Sequence, residues 1–384
     1  MKKSHERIDL KNGNKNIYLL GASSLCNDIG AEMITPILPF YITALGGGGL
    51  AVGLLSGLRE GLSSLFKLFG GWYSDKIGKR MPFVFFGYLF SIISRFLLSL
   101  VTSWQYVIAL VSFERFGKLR DAPRDAIISV STKNRGHGFG IHQAFDASGG
   151  IIGALIVLFL FWKFQLDFKT IILFAAGISS LSLIPLFFVK EPKSSPIKIK
   201  LTQGIKLLSK KLKYFVFVTS VFTLGNFGLY LFILLIFKNA TGSQIIPLIA
   251  FVLFNFIWAL FTIPFGNISD KIGRKKVLMS GYILFFITAI GFIFLTQFYF
   301  LIILFVLYGL VFAITQSNQR AFVSDLAGDL KATAMGFYHA IIGLVNIPAG
   351  LIAGLLWDKS PQIMFVYISI VTLVSIVLLT FVKE

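Results

Sequence analysis

Along the chain, apolar residues gather into unbroken runs instead of alternating with polar ones. Runs of spanning length fall at about 17–44, 50–73, 81–101, 104–128, 138–162 and 168–189. After a break they resume at about 214–237, 244–266, 276–297, 299–323, 333–356 and 361–382. A helix crosses the bilayer hydrocarbon in roughly 20 apolar residues. Unpaired backbone is so costly in lipid that only helices and closed barrels span it, and barrel strands would alternate apolar with polar side chains. The pattern therefore predicts an all-α membrane protein of twelve transmembrane helices. Six lie in residues 1–190 and six in 214–384, joined by a basic linker at 191–213.

Composition agrees with lipid as the solvent. Of 384 residues, 56% are hydrophobic and 14% charged, against about 25% charged in a soluble domain. A net charge of +19 would point to nucleic acid in a soluble chain. No soluble basic domain exists here to carry such a role, and the excess fits cytoplasmic loops facing anionic headgroups. The links after the second and eighth spans hold Lys76, Lys79 and Arg80, then Lys271, Arg274, Lys275 and Lys276, and Lys133 and Arg135 lie between the fourth and fifth. The opposite connections, Gly46–Gly49, Thr102–Ser103 and Thr296–Gln297, are nearly uncharged. Both termini are thus expected on the cytoplasmic side of the inner membrane. Residues 1–16 are basic but lack the short apolar core and cleavage site of a removable signal peptide, so the first span is expected to stay. The linker opens with Pro192 and Pro196. It then interleaves Lys206, Lys210, Lys211 and Lys213 with Ile205, Leu207, Leu208 and Leu212, as in a helix lying along the inner leaflet. The single Cys26 excludes an internal disulfide and reads as a small buried apolar residue.

Residues 71–80 read GWYSDKIGKR and residues 266–275 read GNISDKIGRK. Each follows the second helix of its half. Gly71 and Gly266 suit a close approach of helices, and Gly78 and Gly273 a tight turn. Asp75 and Asp270 can pair with a cation or a helix N-terminus, and Arg80 and Arg274 sit at headgroup level. This doubled loop resembles the motif between helices two and three of the major facilitator superfamily of secondary transporters. The resemblance covers the whole chain and implies two pseudo-symmetric six-helix bundles around a central cavity. It also implies rocker-switch alternating access, with the first, fourth, seventh and tenth helices lining the path. It further implies a gating role for Asp75 and, by repetition, Asp270. The runs NDIGAEMITPILPFY (27–41) and ERFGKLRDAPRDA (114–126) are similar to a bacterial branch of permeases of unassigned substrate. In that branch a glycine usually follows the lysine at the place of Lys118, and here Leu119 follows directly. One missing residue shifts the helix ahead of it by about 100°. The fifth helix has Gly149, Gly150 and Gly153 without a following proline, so it lacks the full Gly-Pro signature of the antiporters.

Charges at mid-membrane cost about 2.5–3.5 kcal/mol each on insertion scales, so they tend to face a cavity or one another. Almost all lie in the first half: Asp28 and Glu32 in the first span, Glu60 and Lys67 in the second, and Arg95 in the third. The fourth holds Glu114, Arg115, Lys118, Arg120 and Asp121, and the fifth His142 and Asp146. The second half offers mainly neutral groups, such as Asn226, Asn255, Gln316, Asn318, Gln319, His339 and Asn346. Asp28 and Glu32 stand four apart on one helical face, where mutual repulsion raises the proton affinity of one of them. They are the candidates for proton coupling. Arg115 and Lys118 are candidates for the polar end of a substrate, with Glu114, Glu60, Asp146 and His142 beside it. The bland alternative is a structural network in which Glu114 and Asp121 neutralise the cations, Arg95 pairs with Glu60, and Asp121, Arg124 and Asp125 serve as scaffold. His142 and Asp146, also four apart, leave an N/O site for a transported divalent metal open. Phe227, Tyr230, Phe232, Tyr308 and Phe312 are candidates for an aromatic wall.

No phosphate loop of the G-x-x-x-x-G-K-[ST] type occurs, and no catalytic arrangement appears. Neither an enzyme nor a bound cofactor is expected. The reading is a monomeric secondary transporter that moves a small organic solute with protons, export favoured. The alternatives are a divalent-metal transporter and a membrane sensor that kept the fold without transport.

Overall fold

The computed structural model describes residues 10–131, 135–191, 206–295, 297–328 and 331–382. Helix α1 (Leu10–Ile34) passes through a 3-10 turn at Thr35–Ile37 into α2 (Leu38–Ala44). Pro36 and Pro39 remove backbone donors and restrict the residues before them, which breaks the helix there. Then follow α3 (Gly49–Ile77), α4 (Met81–Leu98) and α5 (Trp104–Glu114). A 3-10 segment at Arg115–Arg120 leads into α6 (Asp121–Ser131), followed by α7 (Arg135–Phe159), α8 (Phe168–Ser180) and α9 (Leu183–Leu186). The later elements are α10 (Lys210–Gly225), α11 (Tyr230–Thr241), α12 (Ile245–Ile272) and α13 (Arg274–Phe294). The last are α14 (Phe298–Leu326), α15 (Lys331–Lys359) and α16 (Pro361–Thr380). Most of the linker, and Lys133 with it, lies outside the described residues.

Nine segments among the described residues are helical, long and apolar enough to cross a membrane. The expected spans not among them are the first, second and fourth. These are helical too, but each is interrupted by charged residues or by a break in the α-helix.

The described residues form two compact units. The first takes the chain up to Ile37, Leu65–Thr102, and the chain from Ala109 to residue 191. Here α1 lies against α7 and α8. The seam with α7 is close because it is lined by glycine: a Cβ at Gly149 would stand 2.9 Å from Leu25 O, and one at Gly153 would stand 3.1 Å from Glu32 Cβ. The second unit takes Leu38–Ser64, Ser103–Ile108 and the chain from residue 206. In it α14 packs on α12 and α13, and α10 on α15 and α16. The first half of α3 meets α15 through small residues: a Cβ at Gly57 would lie 2.7 Å from Asn346 O, and one at Gly61 would lie 2.8 Å from Gly343 O.

The core of the second unit is aromatic. Phe222 stacks on Tyr282 at 3.8 Å, and Phe254 packs on both Phe305 at 5.1 Å and Tyr308 at 5.6 Å. Several of its polar groups pair with one another. Tyr308 donates to Asn226 Oδ1 at 3.0 Å, and Tyr338 donates to Gln319, which donates to Tyr282, both at 3.1 Å. Phe227, Phe232 and Tyr308 are fully buried, so these three are packing residues rather than a cavity wall. Tyr230 and Phe312 are half-buried.

Candidate functional site

The charged residues of the first unit converge on the place where the fourth span changes helix type. An α-helix turns 100° per residue and a 3-10 helix 120°. Six residues of 3-10 helix from Arg115 to Arg120 therefore gain about 120° over α geometry. That offsets the shift of about 100° expected from a missing residue beside Lys118 and keeps Glu114 and Asp121 in the same network.

The network has two centres. Glu114 Oε1 accepts from Arg95 Nε at 3.1 Å and Nη2 at 2.7 Å, while its Oε2 accepts from Arg115 Nη2 at 2.6 Å. Arg95 is 2% exposed, and its Nη1 donates to Asn27 O at 2.9 Å and Ser179 Oγ at 2.6 Å. The expected partnership of Arg95 with Glu60 is overturned. Arg95 faces α1, α5 and α8 through Asn27, Glu114 and Ser179, and Glu60 is exposed. At the second centre Asp121 lies 3.3 Å from Lys67, 3.6 Å from Lys118 and 3.8 Å from Arg120. Arg120 also holds the break together, donating to Gly117 O at 2.8 Å and stacking over Tyr88 at 4.4 Å. Arg124 pairs with Asp125 at 3.1 Å and donates to Ser24 on α1 at 3.2 Å.

Across from these cations stand the acids of α1 and α7. Asp28 and Glu32 are half-buried, one helical turn apart. Gly149 is what admits Asp28 to the seam, since a Cβ there would stand 3.0 Å from Asp28 Cβ. Asp28 feels the charges of Asp146, Lys118, Arg120 and Arg124. His142 Nδ1 lies 3.3 Å from Asp146 Oδ2, while its Nε2 is buried without a partner. Asp146 thus joins Asp28 and Glu32 on one acidic face. Among the described residues no group of three or more His, Cys, Asp or Glu side chains is arranged to hold a metal ion.

The two loop motifs share local geometry. Ser74 Oγ donates to Gly71 O at 3.0 Å and Ser269 Oγ donates to Gly266 O at 2.8 Å. Gly78 and Gly273 have φ of 73° and 101°, the left-handed region where glycine is favoured. The glycines ahead of them differ. A Cβ at Gly71 would stand 3.0 Å from Ala122 Cβ, whereas one at Gly266 meets nothing within 4 Å. Among the described residues a neighbour thus comes close at Gly71 and none does at Gly266. Asp75 lies 3.5 Å from Arg80. In the second copy Arg274 pairs with Asp270 and extends to Asp325 at 3.1 Å. Asp325, and Glu191, which accepts from the Arg80 and Met81 amides, escaped the sequence reading. Both are remote in sequence from the groups they hold.

The fold is that of an integral membrane transporter. The family model of the Major Facilitator Superfamily matches residues 20–254 and 215–384. An uncharacterised MFS-type transporter of Methanocaldococcus jannaschii is 47% identical over 377 residues, 96% of this chain and 95% of that protein. The chain belongs to the Major Facilitator Superfamily. The multidrug resistance protein MdtH of Photorhabdus laumondii is 27% identical over 225 residues, 57% of this chain and 55% of that protein. A crystal structure of the nucleoside transporter NupG superposes with a TM-score of 0.77 at 14% identity, covering 95% of this chain and 99% of that one.

Proposed function

We propose that the protein is a proton-coupled secondary transporter of a small organic solute. In this reading it works as a monomer in the cytoplasmic membrane with both termini inside. Its two six-helix halves, 1–190 and 214–384, would be joined by the linker 191–213 and rock about a central path. Asp28 and Glu32 carry the coupling proton, and Arg115 and Lys118 hold the polar end of the solute. Glu114, Asp146 and His142 tune them, and the two loop motifs at Asp75 and Asp270 act as gates. The observation that carries this reading is the convergence of carboxylates and cations in one unit of an otherwise apolar chain. Charge at that depth is expensive, and a titratable pair on one helix face is what proton coupling needs.

Proteoliposomes loaded with a pH-sensitive dye and exposed to a panel of small solutes test it. A transported solute should dissipate an imposed pH gradient in the wild type and leave it standing in the Asp28→Asn, Glu32→Gln double variant. Gradient dissipation that survives both substitutions removes the coupling assignment. Export is the second reading, favoured by the partial likeness to a multidrug resistance protein.

A further inference from the structure

We infer that the groove between α4 and the 3-10 segment of the fourth span holds a lipid. Its acyl chain lies in the groove and its anionic phosphate headgroup rests on Lys76 and Lys79. The inference goes beyond the transport reading and does not depend on which groups carry the proton.

The groove has a volume of about 290 Å³ and an apolar lining: Pro82, Phe83, Phe86, Gly87 and Phe90 from α4, and Leu119 from the 3-10 segment. From Pro82 to Phe90 it follows α4 for about 12 Å. α4 is itself one of the apolar spans, Met81–Leu98. The groove therefore starts in the first turn of a span and runs into the hydrocarbon, with Pro82 and Phe86 exposed to it. Water has no place there, since an ordered water needs 2–4 polar partners. A void would forfeit the dispersion contacts of its lining. The solvent at that depth is acyl chain.

The rim selects the headgroup. Phe83 in the groove wall meets Tyr73 edge-on at 5.8 Å, Tyr73 lies 6.1 Å from Trp72, and Lys76 Nζ sits 5.2 Å over the Trp72 ring. Trp and Tyr collect at headgroup level, and lysines there attract anionic lipid. Lys76 is exposed, and so is Lys79, three residues ahead of Pro82. The acid beside them, Asp75, is paired with Arg80 at 3.5 Å. Two cations thus stand at the end of the groove where a chain enters.

The far wall gives the lipid a consequence. Gly87 packs directly on the 3-10 segment: a Cβ there would stand 2.6 Å from Arg120 Cβ and 2.7 Å from Gly117 O. Runs of 3-10 helix longer than 3–4 residues are uncommon because their hydrogen bonds are poorly aligned, and this one has six. Arg120 braces it from within, donating to Gly117 O at 2.8 Å and Ser91 Oγ at 3.1 Å. A chain against Leu119 braces it from the lipid side. Lys118 and Arg120 flank Leu119 and pair with Asp121, so the lipid supports the charge network without touching it.

The test uses purified full-length protein in detergent, with Phe86→Trp as a fluorescent probe in the groove and brominated phosphatidylglycerol as the quencher. Ile370→Trp on α16, 58% exposed and outside the lining, reports unspecific lipid, and the wild-type signal is subtracted from both. Quenching of Phe86→Trp should saturate at low lipid, well before that of Ile370→Trp. Unbrominated phosphatidylglycerol should reverse it at about tenfold lower concentration than phosphatidylcholine, as two lysines at the headgroup confer. Lys76→Gln with Lys79→Gln should remove that difference. In thermal shift the wild type should gain stability from phosphatidylglycerol and none from glycerol 1-phosphate, which carries the phosphate without the chain. Phe86→Ala should lose most of that gain. Identical quenching curves for Phe86→Trp and Ile370→Trp overturn the inference. Equal displacement by phosphatidylcholine overturns it too, as does stabilisation by glycerol 1-phosphate as large as the lipid's. None of these results bears on proton coupling, which gradient dissipation reads separately.

Discussion

Asp358, at the end of α15, closes the first turn of α3. Its Oδ1 accepts from the Gly49 amide at 2.5 Å and its Oδ2 from the Leu50 amide at 2.8 Å. The first amides of a helix lack partners within it, and a carboxylate there also meets the positive end of the helix dipole. The two residues are 309 positions apart, so a local capping signal is made by a distant side chain. Asp358→Ala should cost about 0.5–2 kcal/mol, the range for a lost N-cap, and lower the thermal unfolding midpoint in detergent. An unchanged midpoint would mean that water replaces the carboxylate at no cost.

The glycine seam below that cap should tolerate no side chain. A Cβ at Gly350 would stand 2.8 Å from Gly57 N, and one at Gly53 would stand 2.9 Å from Gly354 Cα. These contacts are with backbone, which cannot step aside as a rotamer can. Gly53→Val should abolish the folded fraction in size-exclusion chromatography. Gly140→Ala, where nothing lies within 4 Å, should elute as the wild type does.

The loop motifs offer a paired comparison. Gly273 has φ 101° and ψ 142°, a region essentially confined to glycine, where other residues pay about 1–3 kcal/mol. Gly78 has φ 73°, near the left-handed well that alanine can enter at about 1–2 kcal/mol. Gly273→Ala should therefore lower the unfolding midpoint more than Gly78→Ala. Equal losses would argue that the turn relaxes in both.

Removing Glu114 should be far worse than removing Asp125. Glu114→Gln leaves Arg95, 2% exposed, without its carboxylate, and breaking a buried pair costs about 3–5 kcal/mol. Asp125 has a side chain 47% exposed, and exposed pairs contribute about 0–1 kcal/mol. Unfolding midpoints of Glu114→Gln and Asp125→Asn check the ranking, and a reversal would move the structural centre of the cluster from Glu114 to Arg124.

At the start of α8, the Thr170 hydroxyl and amide hydrogen-bond the Asp167 carboxylate and hold its pKa below the usual carboxylate value of 3.8. A depressed folded pKa stabilises above the unfolded value, and the contribution is lost as pH falls through the folded one. The stability gap between wild type and Asp167→Ala should be present at pH 7 and shrink below pH 3.8. Thermal unfolding across that range measures it, and a gap independent of pH would assign the cap to neutral hydrogen bonding.

Periodicity and composition were enough to read helices in lipid, because continuous apolar runs admit no other solution there. The doubled G-x-x-x-D-K-x-G loop was enough to read the family, since its glycine turns are local and recur at Gly78 and Gly273. Asp28 and Glu32 were legible as a pair because one helical turn separates them. Partners across the fold were not. Arg95 was assigned to Glu60 on depth alone, and only packing shows that it meets Glu114, Asn27 and Ser179. The close approach expected at Gly266 is not met among the described residues for the same reason, as a glycine says what is permitted and not which neighbour arrives.

The presence of helices and the turn chemistry are thus determined by the sequence, because they depend on residues within a few positions of each other. Ion pairing is decided by tertiary structure. The 3-10 break at Arg115–Arg120 rotates the fourth span, and helix rotation sets which charges can reach one another. Asp146 joins Asp28, and Asp358 reaches Gly49, only because glycine seams bring those helices close enough.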